Sequence, residues 1–194
     1  MPIQPILKTR EFIAYKFFNS LFMGLSIGSI FTIYTPLEPS VFSAGGILLA
    51  LGTLFIAKFY TKIMNAYYFY RISLVVELVM LVMVLYFLFF SYSYTTAFMV
   101  YLGYQATFSF GSYLVRAETV LIKRSQLLTF LDVAKQKGYL LGMIIAFFFY
   151  KALEYFFNLS DKNIQVYNLH FLLLAVEVLT IFYLYRAFKT KESA

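Results

Sequence analysis

The chain predicts an all-α membrane protein of six transmembrane helices with both termini in the cytoplasm, and three observations carry that prediction. Apolar stretches of about 20 residues, the length a helix needs to cross the hydrocarbon, alternate with short loops along the sequence. Lys and Arg gather in every second loop, which assigns those loops to the cytoplasmic side. The hydrophobic fraction is 62% and the mean hydropathy +0.78, well above a soluble domain.

The first span is expected over 12–34, with Lys8, Arg10 and Lys16 before or just inside it. Met1 to Glu11 lacks a positive region leading into a short apolar core and a small-residue cleavage site, so this span is expected to stay as a permanent helix. The second, 42–60, follows a loop without Lys or Arg and ends among Lys58 and Lys62; the third, 72–90, starts after Arg71. Another loop free of basic residues precedes the fourth, 95–115, which runs out at Arg116, Lys123 and Arg124. A basic loop from Lys123 to Lys137, closing with the polar approach Asp132 to Gly138, leads into the fifth, 139–157. The sixth, 166–185, has only Lys151 and Lys162 near the loop before it, and Arg186, Lys189 and Lys191 behind it. This alternation requires an even number of crossings. Trp is absent, and Tyr34, Tyr60, Tyr67, Tyr68, Tyr70, Tyr92, Tyr94, Tyr155 and Tyr167 fall near span ends, where an apolar ring with a polar tip is favoured.

Composition excludes several classes of function. The net charge of +7 sits beside membrane ends, where anionic lipid accounts for it, so nucleic acid is not an expected partner. No Cys is present, which removes disulfide, thiol and cysteine-metal chemistry. His170 is the single histidine, expected near the outer end of the sixth span as a solvated or hydrogen-bonded residue, so no metal site or cofactor is expected. No Gly-rich phosphate loop and no nucleophile–base pair emerges, so the chain is not expected to be an enzyme.

The two halves share features that suggest a 3+3 inverted repeat. Ser20, Gly24 and Gly28 in the first span match Gly103, Thr107 and Gly111 in the fourth at a constant offset. Gly46 and Ala50 in the second are echoed by Gly138, Gly142 and Ala146 in the fifth. The third and sixth each hold one acid in an aliphatic setting, Val76-Glu77-Leu78 and Val176-Glu177-Val178. Small-residue seams let helix backbones approach closely in lipid, and inverted triplets are a recurrent transporter design.

In helix count, orientation, short outer loops and the longer basic loop between the fourth and fifth spans, the chain resembles one six-helix half of a major facilitator superfamily transporter. That family carries Gly-x-x-x-Asp-Arg/Lys-x-Gly-Arg between its second and third helices. Ala57 to Asn65 occupies that place and keeps only the basic residue, Lys62; Thr61 stands for the Asp and both Gly are lost, so gating by that motif does not carry over.

Polar residues inside the spans are the candidate site. Tyr101, Gln105, Ser109, Ser112 and Arg116 share one face of the fourth span, away from its small-residue seam. Such a stripe either lines a solute cavity, with Arg116 supplying positive charge, or hydrogen-bonds neighbouring helices while Arg116 snorkels to the interface. On the first span Lys16, Asn19, Met23 and Ser26 share a face, with Lys16 placed to snorkel. The resemblance implies that the first and fourth helices line the cavity, bringing Asn19 and Ser26 towards the other stripe. Desolvation disfavours a charged carboxyl, which makes Glu77 and Glu177 candidates for proton coupling; the alternative is an acid that locks helices together. The resemblance favours that alternative, since it puts the third and sixth helices behind the cavity.

The expected function is transport of a small solute by a half-size secondary transporter in a bacterial cytoplasmic (inner) membrane, acting as a homodimer or with a second membrane subunit. Gly46/Ala50 and Gly138/Gly142/Ala146 are the candidates for that contact. The alternatives are a substrate-binding membrane subunit of a larger transport complex, similar to the six-helix components of energy-coupling-factor vitamin importers, or a non-transporting assembly protein.

Overall fold

A computed structural model of the chain describes residues 6–189. Residues 1–5, part of the segment expected to lack a cleavable signal, and Lys191 lie outside it. The helices in chain order are α1 (Thr9–Ile33), α2 (Pro39–Lys58), the single turn α3 (Tyr60–Ile63), α4 (Ala66–Phe89), α5 (Tyr94–Ser109), α6 (Gly111–Leu121), α7 (Ser125–Phe157) and α8 (Lys162–Ala187). Five of them, α1, α2, α4, α7 and α8, are long and apolar enough to cross a membrane, which makes this a multi-pass membrane protein.

Local chemistry sets several of the boundaries. Pro39 occupies the first turn of α2, where its missing N–H is no loss. The side chain of Asn65 accepts from Tyr68 N at 3.1 Å to start α4, Ser93 accepts from Thr96 N at 3.0 Å to start α5, and Asp161 accepts from Asn163 N at 2.7 Å to start α8. Asn158 ends α7 in the left-handed conformation at φ 53°.

Two expected boundaries are corrected. The fourth span is not one helix: α5 and α6 meet at a break on Phe110. Just before it, Thr107 Oγ1 donates to Tyr104 O at 2.9 Å and Ser109 Oγ to Gln105 O at 2.9 Å, and such back-bonding competes with the helical ladder. The basic loop from Lys123 to Lys137 is helical from Ser125 onward. At 33 residues α7 is about 50 Å long and outruns the hydrocarbon. Leu131 anchors its extra turns in an apolar cluster with Tyr113 and Leu184, while Asp132 and Lys137 stay exposed on the opposite faces.

The helices pack in the order α7, α1, α8, α4, α5, α2, each against the next. Backbones of α1 and α7 run close together along the expected small-residue seams. A Cβ on Gly24 would lie 3.1 Å from Gly142 Cα, and one on Gly142 would lie 2.8 Å from Leu25 N, so only glycine permits this approach. The Gly138/Gly142/Ala146 seam, expected as a subunit contact, is therefore closed within the chain by α1. Gly46 on the second candidate seam has no atom within 4 Å of its would-be Cβ, and Gly45 is the one buried residue of α2. At one end of the bundle the two-residue strands β1 (Ile6–Leu7) and β2 (Phe188–Lys189) pair antiparallel, and Lys8 N donates to Ala187 O at 2.8 Å. The two ends of the described chain are thus neighbours.

Candidate functional site

The polar centre of the bundle is formed where α1, α4 and α8 converge. Glu77 and Glu177, the single acids of the third and sixth expected spans, are 1% and 0% exposed and lie side by side. Their environments differ sharply. The Tyr15 hydroxyl donates to Glu77 Oε1 at 2.6 Å, and Asn19 Nδ2 lies 3.0 Å from Oε1 and 3.3 Å from Oε2. Glu177 has the Glu77 carboxyl beside it and no other hydrogen-bond partner among the described residues. Ser73 Oγ is fully buried beside the Tyr15 hydroxyl.

Helical spacing builds the cluster: Tyr15 and Asn19 sit one turn apart on α1, as Ser73 and Glu77 do on α4. Two neighbouring carboxyls with this little solvation are costly unless positive charge accompanies them. That cost is relieved by a proton shared between the two carboxyls.

An ion-pair network adjoins it. Lys16 Nζ lies 2.8 Å from Glu118 Oε2, an ion pair outside hydrogen-bond angles, and Lys135 pairs with Glu118 Oε1 and, at 3.2 Å, with Asp132. Lys16 does not snorkel as expected. It is 7% exposed, enclosed by the Phe12, Tyr15 and Phe69 rings with its Nζ 5.2–5.6 Å from their centroids, and held inside because Glu118 is buried there too. Lys135, expected only as a topology signal, has this structural partner as well.

The expected stripe on the fourth span divides. The Tyr101 ring covers Gly45 of α2 and its hydroxyl donates to Phe42 O at 3.2 Å; Ser109 Oγ lies over Gly52, 2.7 Å from where a Cβ would stand. These two residues pack α5 onto α2. Gln105 is half-buried, with its Oε1 enclosed and unpartnered, whereas Ser112 and Arg116, past the break, are exposed. Ser26 is buried, donates to Met23 O at 3.1 Å and lies beside the Tyr104 hydroxyl of α5, not at the carboxyl pair. Asn19 is the stripe residue brought to the carboxyl pair. A cleft of about 310 Å³ between α2 and α5 is lined by Tyr101, Gly45 and Phe98, and one of about 650 Å³ at the end away from the strands by Thr35, Tyr92, Thr96 and Asp161. Neither is lined by Asn19, Gln105, Glu77 or Glu177.

His170 is hydrogen-bonded, with Nδ1 2.7 Å from Val166 O, and stacks on Phe87 with centroids 3.9 Å apart; it is buried and not solvated. Tyr15 and Ser73 are the members of the polar centre that sequence reasoning missed. The one-turn spacings Tyr15–Asn19 and Ser73–Glu77 were the available signal. No protein-family model, curated protein or solved structure matches the chain.

Proposed function

We propose that this chain is a half-size secondary transporter: a six-pass bundle with both termini cytoplasmic, in a bacterial cytoplasmic membrane, that moves a small solute as a homodimer or with a second subunit. The observation that carries this reading is the pair of adjacent buried carboxyls, Glu77 and Glu177, the first also held by Tyr15 and Asn19 and the second with only Glu77 beside it. Two carboxyls enclosed together away from water are relieved by a shared proton, and such a proton is exchanged when the bundle moves and opens a water path to the pair.

Packing order supports an inverted repeat. With α5 and α6 taken together as the fourth span, exchanging the first three spans for the last three in the series α7, α1, α8, α4, α5, α2 reproduces the same series in reverse. Glu77 and Glu177 then hold equivalent places and meet at the pseudo-twofold axis, where repeat-built transporters place their sites. The adjacency of strands β1 and β2 agrees with an even number of crossings. The open face of α2 around Gly46 is the surface left for a second bundle.

The test is solute-driven proton movement. Proteoliposomes loaded with a pH dye are challenged in turn with sugars, amino acids, amines and carboxylates. One class is expected to change the internal pH, and Glu177→Gln to abolish that change while the protein still inserts. Wild-type vesicles in which no class moves either solute or protons would end the transporter reading.

A further inference from the structure

The buried charges balance only while the carboxyl pair holds a proton. Glu77, Glu177 and Glu118 are at most 3% exposed, and the cations that reach them among the described residues are Lys16 of α1 and Lys135 of α7. Asp132 also contacts Lys135, but its side chain is 70% exposed and solvated. The other titratable groups facing the pair, Tyr15 on α1 and Tyr104 on α5, carry no charge. With one proton shared by Glu77 and Glu177, the three buried acids carry two negative charges against two ammonium groups. Once that proton leaves, one more negative charge stands in an interior without water, where it is strongly disfavoured unless a cation comes to it.

Lys16 is placed to be that cation. It shares a face of α1 with Asn19, three residues on, whose Nδ2 lies 3.0 Å from Glu77 Oε1. Its Nζ lies 5.2 Å from the centre of the Tyr15 ring, and the hydroxyl of that ring donates to Glu77 Oε1 at 2.6 Å. The ammonium group meets Glu118 Oε2 at 2.8 Å, outside hydrogen-bond angles. Glu118 keeps a second cation, Lys135, on its other oxygen, so the departure of Lys16 would not leave it alone. A compact charge on a flexible four-carbon stem suits such a move, and the Phe12, Tyr15 and Phe69 rings around Nζ attract the ammonium group as it turns.

We infer that Lys16 is a switching counter-ion: it is held by Glu118 while Glu77 and Glu177 share a proton, and turns to Glu77 when that proton leaves. The proton passes to water when a path opens, the negative charge stays on Glu77, and Lys16 keeps all of its own hydrogens, so charge is balanced in both states. Lys16 thereby sets how readily the pair gives up its proton, and Glu118 opposes it by holding Lys16 back. The inference rests on the proposed transport reading for its purpose alone, because the exchange of partners is measurable without transport.

The experiment is solid-state NMR of the full chain in lipid bilayers, with ¹⁵N on the lysine ammonium groups and ¹³C on the glutamate carboxyls, read by dipolar dephasing across a pH series. The infrared band of protonated carboxyl follows the pair in the same samples. Lys16 is expected to dephase against Glu118 at low pH and against Glu77 at high pH, with the exchange at the pH where the band disappears. Lys16→Met should raise that midpoint by about one pH unit, a tenfold gain in proton affinity, because the cation Glu77 calls on is gone. Glu118→Gln should lower it by about as much by releasing Lys16, whereas Asp132→Asn, in solvent, should leave it unchanged. A wild-type Lys16 that stays on Glu118 throughout overturns the switch, whether or not the band titrates and whatever the variants do. Solute-driven proton movement alongside that result would leave the transporter reading intact, whereas exchange of partners without flux of any solute would uphold the switch and remove the transporter reading.

Discussion

Glu118 shows at the residue scale why buried charges must be counted together. It receives Lys16 from α1 and Lys135 from α7, and so ties three helices at one point. Removing one partner from a buried pair leaves an uncompensated charge, which costs about 3 kcal/mol, whereas replacing both by apolar groups is close to neutral. Glu118→Leu is therefore expected to lower stability by about 3 kcal/mol, and Lys16→Met combined with Glu118→Leu to recover most of that loss. Unfolding of the protein in mixed micelles measures both. Equal losses in the single and double variants would mean that Lys16 is not paired with Glu118 in the membrane. Lys16 lies just inside the expected first span and Glu118 just past the expected fourth, and no spacing rule links them, so which partner Glu118 meets was not legible in the sequence.

Glycines decide at the element scale which helices meet. The α1–α7 contact depends on backbones too close for a side chain, and overpacking such a contact costs about 1–3 kcal/mol or more. Gly142→Val is expected to destabilise the bundle and cut the yield of folded protein several-fold, while Gly46→Val, facing open space within the chain, is expected to leave yield and monomer stability unchanged. Size-exclusion recovery after mild heating compares the two, and a tolerant Gly142→Val would refute the close approach. The seams themselves were readable as four-residue repeats of small residues. Which seam met which was not, because the pairing is set by how the helices arrange in space. The same holds for the fourth span, whose hydropathy is continuous across the break at Phe110 that back-bonding by Thr107 and Ser109 introduces.

For the whole molecule, the proposed topology, argued from the alternating basic loops and the adjacency of β1 and β2, can be measured directly. The chain contains no Cys, so single introduced thiols report without background. Ser91→Cys and Ser160→Cys, in the exposed α4–α5 and α7–α8 loops, are expected to react with a membrane-impermeant maleimide from outside intact cells. Ser125→Cys, at the start of α7, is expected to react only after permeabilisation. Labelling of Ser125→Cys in intact cells would reverse the proposed orientation. α7 makes this a sharp test, because its extra turns carry Ser125 well clear of the hydrocarbon.

Hydropathy and charge act residue by residue along the chain, so the sequence by itself determined that this is a multi-pass helical membrane protein, roughly where its helices run, and which small and acidic residues are out of place in lipid. Those signals survive because a helix in hydrocarbon must satisfy its own backbone whatever its neighbours do. Tertiary structure alone decided that Glu77 and Glu177 share one site, that Asn19 serves it while Tyr101 and Ser109 pack against α2, and that Lys16 stays inside with Glu118. Each of those outcomes depends on residues from separate helices meeting, and the free energy of a buried charge is set by the partner that arrives from another part of the chain.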